Sequence, residues 1–143
     1  MKIERYLILL ILVIPVLILR DFTPNNELKY LSIVDEALRD GHFFTFFHQG
    51  ELYADKPPLY FWLLMLSKWI WGEYNMFGLS LFSIIPALIS IYIMNKWVEE
   101  ETTTSLRWNG SLMLFTSAFF IGSGLVLRMD MLMCMFILLA LYT

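Results

Sequence analysis

Three short polar segments beside long apolar stretches contain the side chains best suited to chemistry. The segment from Thr23 to Tyr30 opens a helical pattern. A helix N-terminus presents free N–H groups and a partial positive charge, which makes it a natural anion site. Lys29 in the first turn would reinforce phosphate binding there. A helix cap with solvated charges is the alternative interpretation.

The second segment, from Ala54 to Trp62, places Lys56 directly before two prolines. Proline fixes its own φ and restricts the residue before it, so this lysine has little backbone freedom. A rigid ammonium group at a lipid surface suits a phosphate headgroup. The alternative is a lysine that snorkels at the start of a helix.

The third segment is the short corner from Arg128 to Asp130, between two apolar runs. Ionisable residues at such positions are costly and usually face a cavity or a partner. An interfacial Arg/Asp pair that only ends a helix is the alternative. The sequence contains no glycine-rich phosphate loop, no zinc pattern and no Ser/His/Asp set.

Composition places the chain in the membrane. It has 143 residues, of which 59% are hydrophobic and 16% charged, against about 45–50% apolar and about 25% charged in soluble proteins. A chain this short cannot bury so much apolar surface in its own core. The net charge of −3 and the lack of a basic patch argue against a nucleic-acid partner. Cys134 is the single cysteine and is expected to be a small packing residue.

The hydropathy pattern predicts an all-α, polytopic membrane protein. The polar turn before Arg107 and the polar loop after the first stretch separate the apolar segments, and Lys2 and Arg5 favour an uncleaved, cytoplasmic N-terminal anchor. The predicted spans are about 4–20, 78–94, 108–127 and 131–143, the last of these expected to be truncated.

An external loop, 20–77, is predicted to contain two interfacial helices, 27–39 and 58–71. The first is amphipathic, with Leu38 on its apolar face, Asn25 or Asn26 as its cap and Gly41 at its end. The second is too short to span, and tryptophan prefers the headgroup level. This topology predicts that the loop and Asp130 lie on the same, non-cytoplasmic side.

At these residues the sequence resembles a known family. Several parts of the chain resemble the first external loop of bacterial 4-amino-4-deoxy-L-arabinose transferase-like enzymes: Pro24–Tyr30, Gly41, Gly50, Tyr53 and Asp55–Trp62. These enzymes are relatives of the protein O-mannosyltransferases in the GT-C superfamily. The corner around Met129 and Asp130 is similar to the family's second external acidic motif.

The resemblance implies a glycosyltransferase of the bacterial inner membrane, with its active site facing the periplasm. The donor would be a polyprenyl-phosphate-linked sugar, and the acceptor a lipid A-like lipid, a protein or a glycan. No cofactor is certain, and a divalent metal is possible. Position 26 would hold the catalytic base and Asp130 would line the reaction site. The donor phosphate would meet four side chains: Lys29, Tyr30, Lys56 and Arg128.

The chain departs from the family at Asn26, where the family usually has aspartate. An amide cannot act as a general base, and losing that help costs roughly 10²–10⁴ in rate. Three explanations are open: Glu27 or Asp130 takes over, the motif is shifted in this branch, or the protein is a weak or inactive relative. A non-catalytic membrane module that binds a lipid-linked sugar or a partner is therefore the alternative function. A transporter subunit is a third hypothesis. The small residues Gly122 and Gly124 do not demand it, because small residues in spans usually serve close helix packing.

Overall fold

The computed structural model describes residues 3–143, without the side chains of Pro24 and Asn25. These residues form seven α-helices, one π-helical turn and one short hairpin. In chain order they are α1 (Ile3–Leu19), the π turn (Pro24–Leu28), α2 (Lys29–Asp40), β1 (Phe47–His48), β2 (Glu51–Leu52), α3 (Pro58–Trp71), α4 (Met76–Trp97), α5 (Thr104–Thr116), α6 (Ala118–Leu125) and α7 (Asp130–Tyr142). The all-α prediction therefore fits the described chain.

The described chain divides into two compact units. The first contains α1 and Ser80–Thr143, and the second is Arg20–Leu79. The bounds of the second unit are close to those of the predicted external loop, 20–77.

One described helix, α4, is long and apolar enough to cross a bilayer. Helices α6 and α7 would count as a second span if they form one broken segment, and they meet at a bend of 112°. The described part of α1 has 17 residues, roughly 25 Å at 1.5 Å per residue. Multi-pass insertion stays a prediction.

In the first unit, three helix ends meet. The Arg5 guanidinium lies 5.3 Å from the centre of the Trp108 ring and donates to the Thr104 carbonyl at 3.4 Å. The Asn95 amide donates to the Tyr6 hydroxyl at 3.3 Å. The starts of α1 and α5 therefore lie beside the end of α4.

The corner before α7 lies toward the other end of this unit. The Ser83 hydroxyl donates to the Arg128 carbonyl at 3.3 Å. Ser83 precedes Asn95 on α4 by roughly 18 Å of helix. The corner thus packs against the first half of α4, away from the cluster of helix ends.

The predicted continuous helix over 108–127 is broken at Ser117, which has extended backbone angles. Two hydroxyl groups explain the break. Thr116 donates its hydroxyl to the Leu112 carbonyl at 2.7 Å, and Ser117 donates to the Leu114 carbonyl at 2.8 Å. Side chains that bond to nearby carbonyls compete with the helical pattern and bend or end helices.

An aromatic core joins α2 and α3 in the second unit. The Tyr30 ring meets the rings of Tyr60 and Phe61 edge to face, with centres 5.5 and 6.2 Å apart. Phe46 from the loop before β1 lies 4.5 Å from the Phe61 ring centre. Tyr30, Phe46, Tyr60 and Phe61 are all buried. Such edge-to-face pairs stabilise a core beyond the area that they bury.

Two carboxylates of α2 hold other parts of this unit by hydrogen bonds. Asp35 accepts hydrogen bonds from Lys68 at 2.5 Å and from the Tyr74 hydroxyl at 2.6 Å. Glu36 accepts from the backbone N–H groups of Gln49 and Gly50 at 2.9 and 3.0 Å. Gln49 and Gly50 have φ of 56° and 80°, as a two-residue hairpin turn requires.

The ends of α2 differ in part from the expectation. Gly41 ends the helix with φ of 76°, and its N–H donates to the Ala37 carbonyl at 3.0 Å, as predicted. The expected cap at Asn25 or Asn26 is wrong, because the residue before the first helical turn is Thr23. Leu38 is exposed rather than buried, since it lies at the edge of the apolar face near the helix end.

Candidate functional site

Lys29 and Lys56 each contact one member of a hydrogen-bonded pair, Tyr53 and Asp55. The Lys29 ammonium lies 4.6 Å from the centre of the Tyr53 ring. The Tyr53 hydroxyl donates to Oδ2 of Asp55 at 3.0 Å, and the Lys56 ammonium lies 3.6 Å from that same oxygen. The structure thereby links two lysines that are far apart in sequence. These four residues are called the lysine cluster below.

Local structure explains how each lysine is positioned. Lys29 is the first residue of α2, directly after the π turn. Lys56 precedes Pro57, whose extended backbone leads into α3 at Pro58. Proline at the first helical position is favoured because its missing N–H would have no helical partner. The side chain of Lys56 is 27% exposed, so its charge can reach a ligand at the surface.

The tyrosine in the cluster is neutral at ordinary pH. Burial, and then the hydrogen bond to Asp55, raise the pKa of Tyr53 well above its usual value. The neutral phenol donates a hydrogen bond to Asp55, and its ring face attracts the Lys29 cation. The charges in the cluster are therefore those of the two lysines and one aspartate.

Glu27, one of the candidate bases, is fully buried. It forms an ion pair with Arg20 and accepts from the Thr23 backbone N–H at 2.6 Å and the Thr23 hydroxyl at 3.0 Å. These contacts close the π turn, whose Leu28 N–H bonds to the Thr23 carbonyl at 3.3 Å. The structure gives this carboxylate a capping role.

Asn26 lies on the same turn but is exposed. Its neighbour Glu27 points inward, so the turn presents position 26 to the surface. Tyr30, four residues later, is 8% exposed and packs in the aromatic core. Tyr30 therefore supports the fold beneath the lysine cluster, and its predicted contact with phosphate stays a prediction.

The remaining two predicted site residues pair with each other. The Arg128 Nε lies 2.9 Å from Oδ2 of Asp130, and the two side chains are 49% and 37% exposed. Asp130 is also the first residue of α7, where a negative charge is favoured by the helix dipole. Among the described residues, no group of three His, Cys, Asp or Glu side chains could hold a metal ion.

Sequence reasoning placed Tyr53 and Asp55 in the segments that resemble the transferase loop, but it assigned no role in the site to them or to Arg20. The sequence did contain a signal for Tyr53 and Asp55, because two residues that are two positions apart in an extended segment face the same side. Tyr53 and Asp55 follow β2 and stand in this relation immediately before Lys56. No local signal identifies Arg20 as the partner of Glu27.

Comparison with known proteins finds partial similarity to a group of sugar transferases. The chain is 28% identical over 97 residues to the undecaprenyl phosphate-alpha-4-amino-4-deoxy-L-arabinose arabinosyl transferase of Pseudomonas savastanoi, covering 68% of this chain and 18% of that protein. It is 24% identical over 124 residues to the corresponding transferase 1 of Proteus mirabilis, covering 82% and 22%. An uncharacterized protein of Aquifex aeolicus is 28% identical over 143 residues, covering 93% and 28%.

No protein-family model matches the chain, and no solved structure matches it significantly. The chain spans less than a third of the length of these curated relatives. The chain is thus similar, distantly and over part of their length, to undecaprenyl phosphate-alpha-4-amino-4-deoxy-L-arabinose arabinosyl transferases.

Proposed function

We propose that the chain carries the donor-phosphate site of a membrane glycosyltransferase that uses a polyprenyl-phosphate-linked sugar. The acceptor is an extracytoplasmic lipid, protein or glycan, and the enzyme is a multi-pass protein of the bacterial inner membrane whose site faces the periplasm. The similarity to arabinosyl transferases supports the reaction class.

The observation that carries the proposal is the lysine cluster. A phosphate bound between two ammonium groups gains charge-assisted hydrogen bonds, which are about twice as strong as neutral ones. Lys29 contacts Tyr53, and Lys56 contacts the Asp55 carboxylate that is hydrogen-bonded to Tyr53; we propose that both flexible side chains reach one small anion there.

In the proposed reaction, an acceptor hydroxyl oxygen attacks the anomeric carbon of the sugar. The bond between that carbon and the phosphate oxygen breaks, and the polyprenyl phosphate leaves with the electron pair. Lys29 and Lys56 stabilise the negative charge that develops on the phosphate, an electrostatic form of catalysis. A general base takes the proton of the attacking hydroxyl.

The base is proposed from what the candidate carboxylates already do. Asn26 has no basic lone pair, and both oxygens of Glu27 are engaged by Arg20 or Thr23 in a buried site. Asp130 pairs with Arg128 through one oxygen, but its side chain is 37% exposed and its carboxylate is accessible. Asp130 is therefore the proposed base, and Asp130→Asn should lower the transfer rate by about 10²–10⁴ with little change in donor affinity. An unchanged rate would remove it from the mechanism.

Binding of undecaprenyl phosphate to the protein in nanodiscs tests the phosphate site. Lys29→Ala and Lys56→Ala should each weaken binding by about tenfold or more, since hydrogen bonds to charged groups contribute about 1.5–3 kcal/mol. Lys96→Ala is the matched control, because Lys96 pairs with Glu99 outside the cluster. Wild-type affinity in both cluster variants would contradict the proposal.

Cysteine labelling tests the proposed topology. In a Cys134→Ser background, an impermeant maleimide added to intact spheroplasts should label Phe44→Cys and Met129→Cys. Glu100→Cys, in the turn between α4 and α5, should react only after permeabilisation. Phe44 and Glu100 are exposed in the structure, so an absent label reports the membrane side. Labelling of the first two positions from opposite sides would end the enzyme hypothesis.

A non-catalytic protein that binds a lipid-linked sugar is the second candidate function, and Asn26 favours it. The side chain is exposed at the position where the resemblance expects a carboxylate. Asn26→Asp separates the two candidates. A gain in transfer of about 10² or more supports a decayed catalytic site, whereas no gain, with loss of transfer in Asp130→Asn, supports a relocated base.

A further inference from the structure

Asp55 brings an unexpected negative charge into the proposed phosphate site. Its Oδ2 atom accepts the Tyr53 hydroxyl at 3.0 Å and lies 3.6 Å from the Lys56 ammonium. The side chain is 67% exposed, so neither burial nor a structural core requires a carboxylate there. A negative charge beside an anion site weakens the binding that the site is proposed to perform.

The charges of the cluster make this cost unequal for different ligands. Two ammonium groups and one carboxylate leave a net charge of +1, because Tyr53 is neutral. A lipid-linked sugar donor is a phosphodiester with one negative charge. The lipid phosphate released after transfer is a monoester with a charge of about −2 above its second pKa, near 6. Repulsion from Asp55 is proportional to ligand charge, so it acts more strongly on the released product.

We propose that Asp55 reduces the preference of the site for the released lipid phosphate, by weakening the binding of a doubly charged phosphate monoester more than that of a singly charged phosphodiester. This inference rests on the proposed function. Its consequence is faster release of the lipid phosphate after the sugar has left. Tyr53 acts as a positioning residue, since its hydroxyl holds the carboxylate beside Lys56 while its ring holds Lys29.

Two probes with the same lipid chain test the inference: geranylgeranyl phosphate and its methyl phosphodiester. Their dissociation constants are measured at about pH 8 with the purified protein in nanodiscs. Asp55→Asn removes the charge and keeps an oxygen that can accept from Tyr53. The variant should bind both probes more tightly, and the gain for the monoester should exceed that for the diester by about threefold. That factor corresponds to one additional unit charge about 6 Å from a carboxylate in water.

Asp40→Asn is the matched control, because Asp40 is an exposed carboxylate of the same unit that pairs with Arg39. An equal gain for the two probes in Asp55→Asn, or an equal change of their ratio in Asp40→Asn, would overturn the role of Asp55. Lys56→Ala separates this failure from failure of the proposed function. If it weakens both probes, the phosphate site stands whatever Asp55 does; if it changes neither, the phosphate site itself is wrong.

Discussion

Replacing Glu27 by glutamine should open the turn that presents position 26. The carboxylate is fully buried, pairs with Arg20 and accepts two hydrogen bonds from Thr23. Glutamine has nearly the same shape but no charge, and its N–H₂ group cannot accept the bonds that the second carboxylate oxygen accepts. The variant therefore leaves the Arg20 guanidinium without its counter-ion.

The expected cost follows from the burial of this ion pair. Removing one partner of a buried pair costs about 3–5 kcal/mol, because an uncompensated charge stays behind. The Arg20 side chain is 18% exposed, so part of the guanidinium can reach water. We therefore expect the lower end of the range, about 3 kcal/mol.

Hydrogen exchange of the backbone amides in the π turn and the first half of α2 measures this loss. Exchange through local opening depends on the opening free energy, so a loss of about 3 kcal/mol should speed it by about 100-fold. Amides of α4 after Ser90 provide the internal control and should keep their protection. Unchanged exchange in the π turn of Glu27→Gln would refute the reasoning.

The double variant Arg20→Met/Glu27→Gln distinguishes a structural Glu27 from a catalytic one. Removing both charges relieves the unpaired guanidinium, so protection of the turn should largely return. If transfer activity returns with it, Glu27 acts only through the fold. If the turn is protected and transfer is still lost, Glu27 is the base and the assignment to Asp130 is wrong.

Three further perturbations probe the packing of the two units. Burial and a hydrogen bond to a carboxylate of α2 raise the pKa of Tyr74 above its usual value of 10. The free energy of unfolding should therefore keep its full value below pH 10 and fall as the pH rises above 10. Thermal unfolding of Tyr74→Phe should lack this alkaline loss of stability. In Gly78→Ala the new Cβ would lie 3.1 Å from the Trp71 ring, so unfolding should become easier by about 1–3 kcal/mol with altered tryptophan fluorescence, whereas Gly124→Ala, with contacts of 3.5 Å or more, should not be destabilised. Asn95→Ala removes a buried amide that bonds two hydroxyl groups and should cost about 1–3 kcal/mol in chemical unfolding; an unchanged midpoint would contradict that packing.

Several helix boundaries could be predicted because their signals are local. Gly41 ends α2 in the left-handed conformation, and Pro58 begins α3. Each effect depends on the backbone of one residue and its immediate neighbours. The break at Ser117 was missed, because the competing hydroxyl bonds are visible only once the carbonyls of the preceding turn are in place.

The candidate site was predictable only in part. The order of residues around Lys56, with two prolines after it, indicated a fixed cation near a lipid surface. Its connection to Lys29 through Tyr53 and Asp55 requires the loop after α2 to fold back, and no pattern along the chain contains that information.

Sequence alone determined that this chain is apolar, helical and punctuated by polar segments, since hydropathy and proline or glycine effects act within a few residues. Which polar groups are available for chemistry depends on how the chain packs in three dimensions. Glu27 and Lys29 are two residues apart in one segment, yet the first is sealed against Arg20 and the second faces Tyr53. The physical reason is that burial and charge pairing depend on neighbours in space, which the folded backbone brings together.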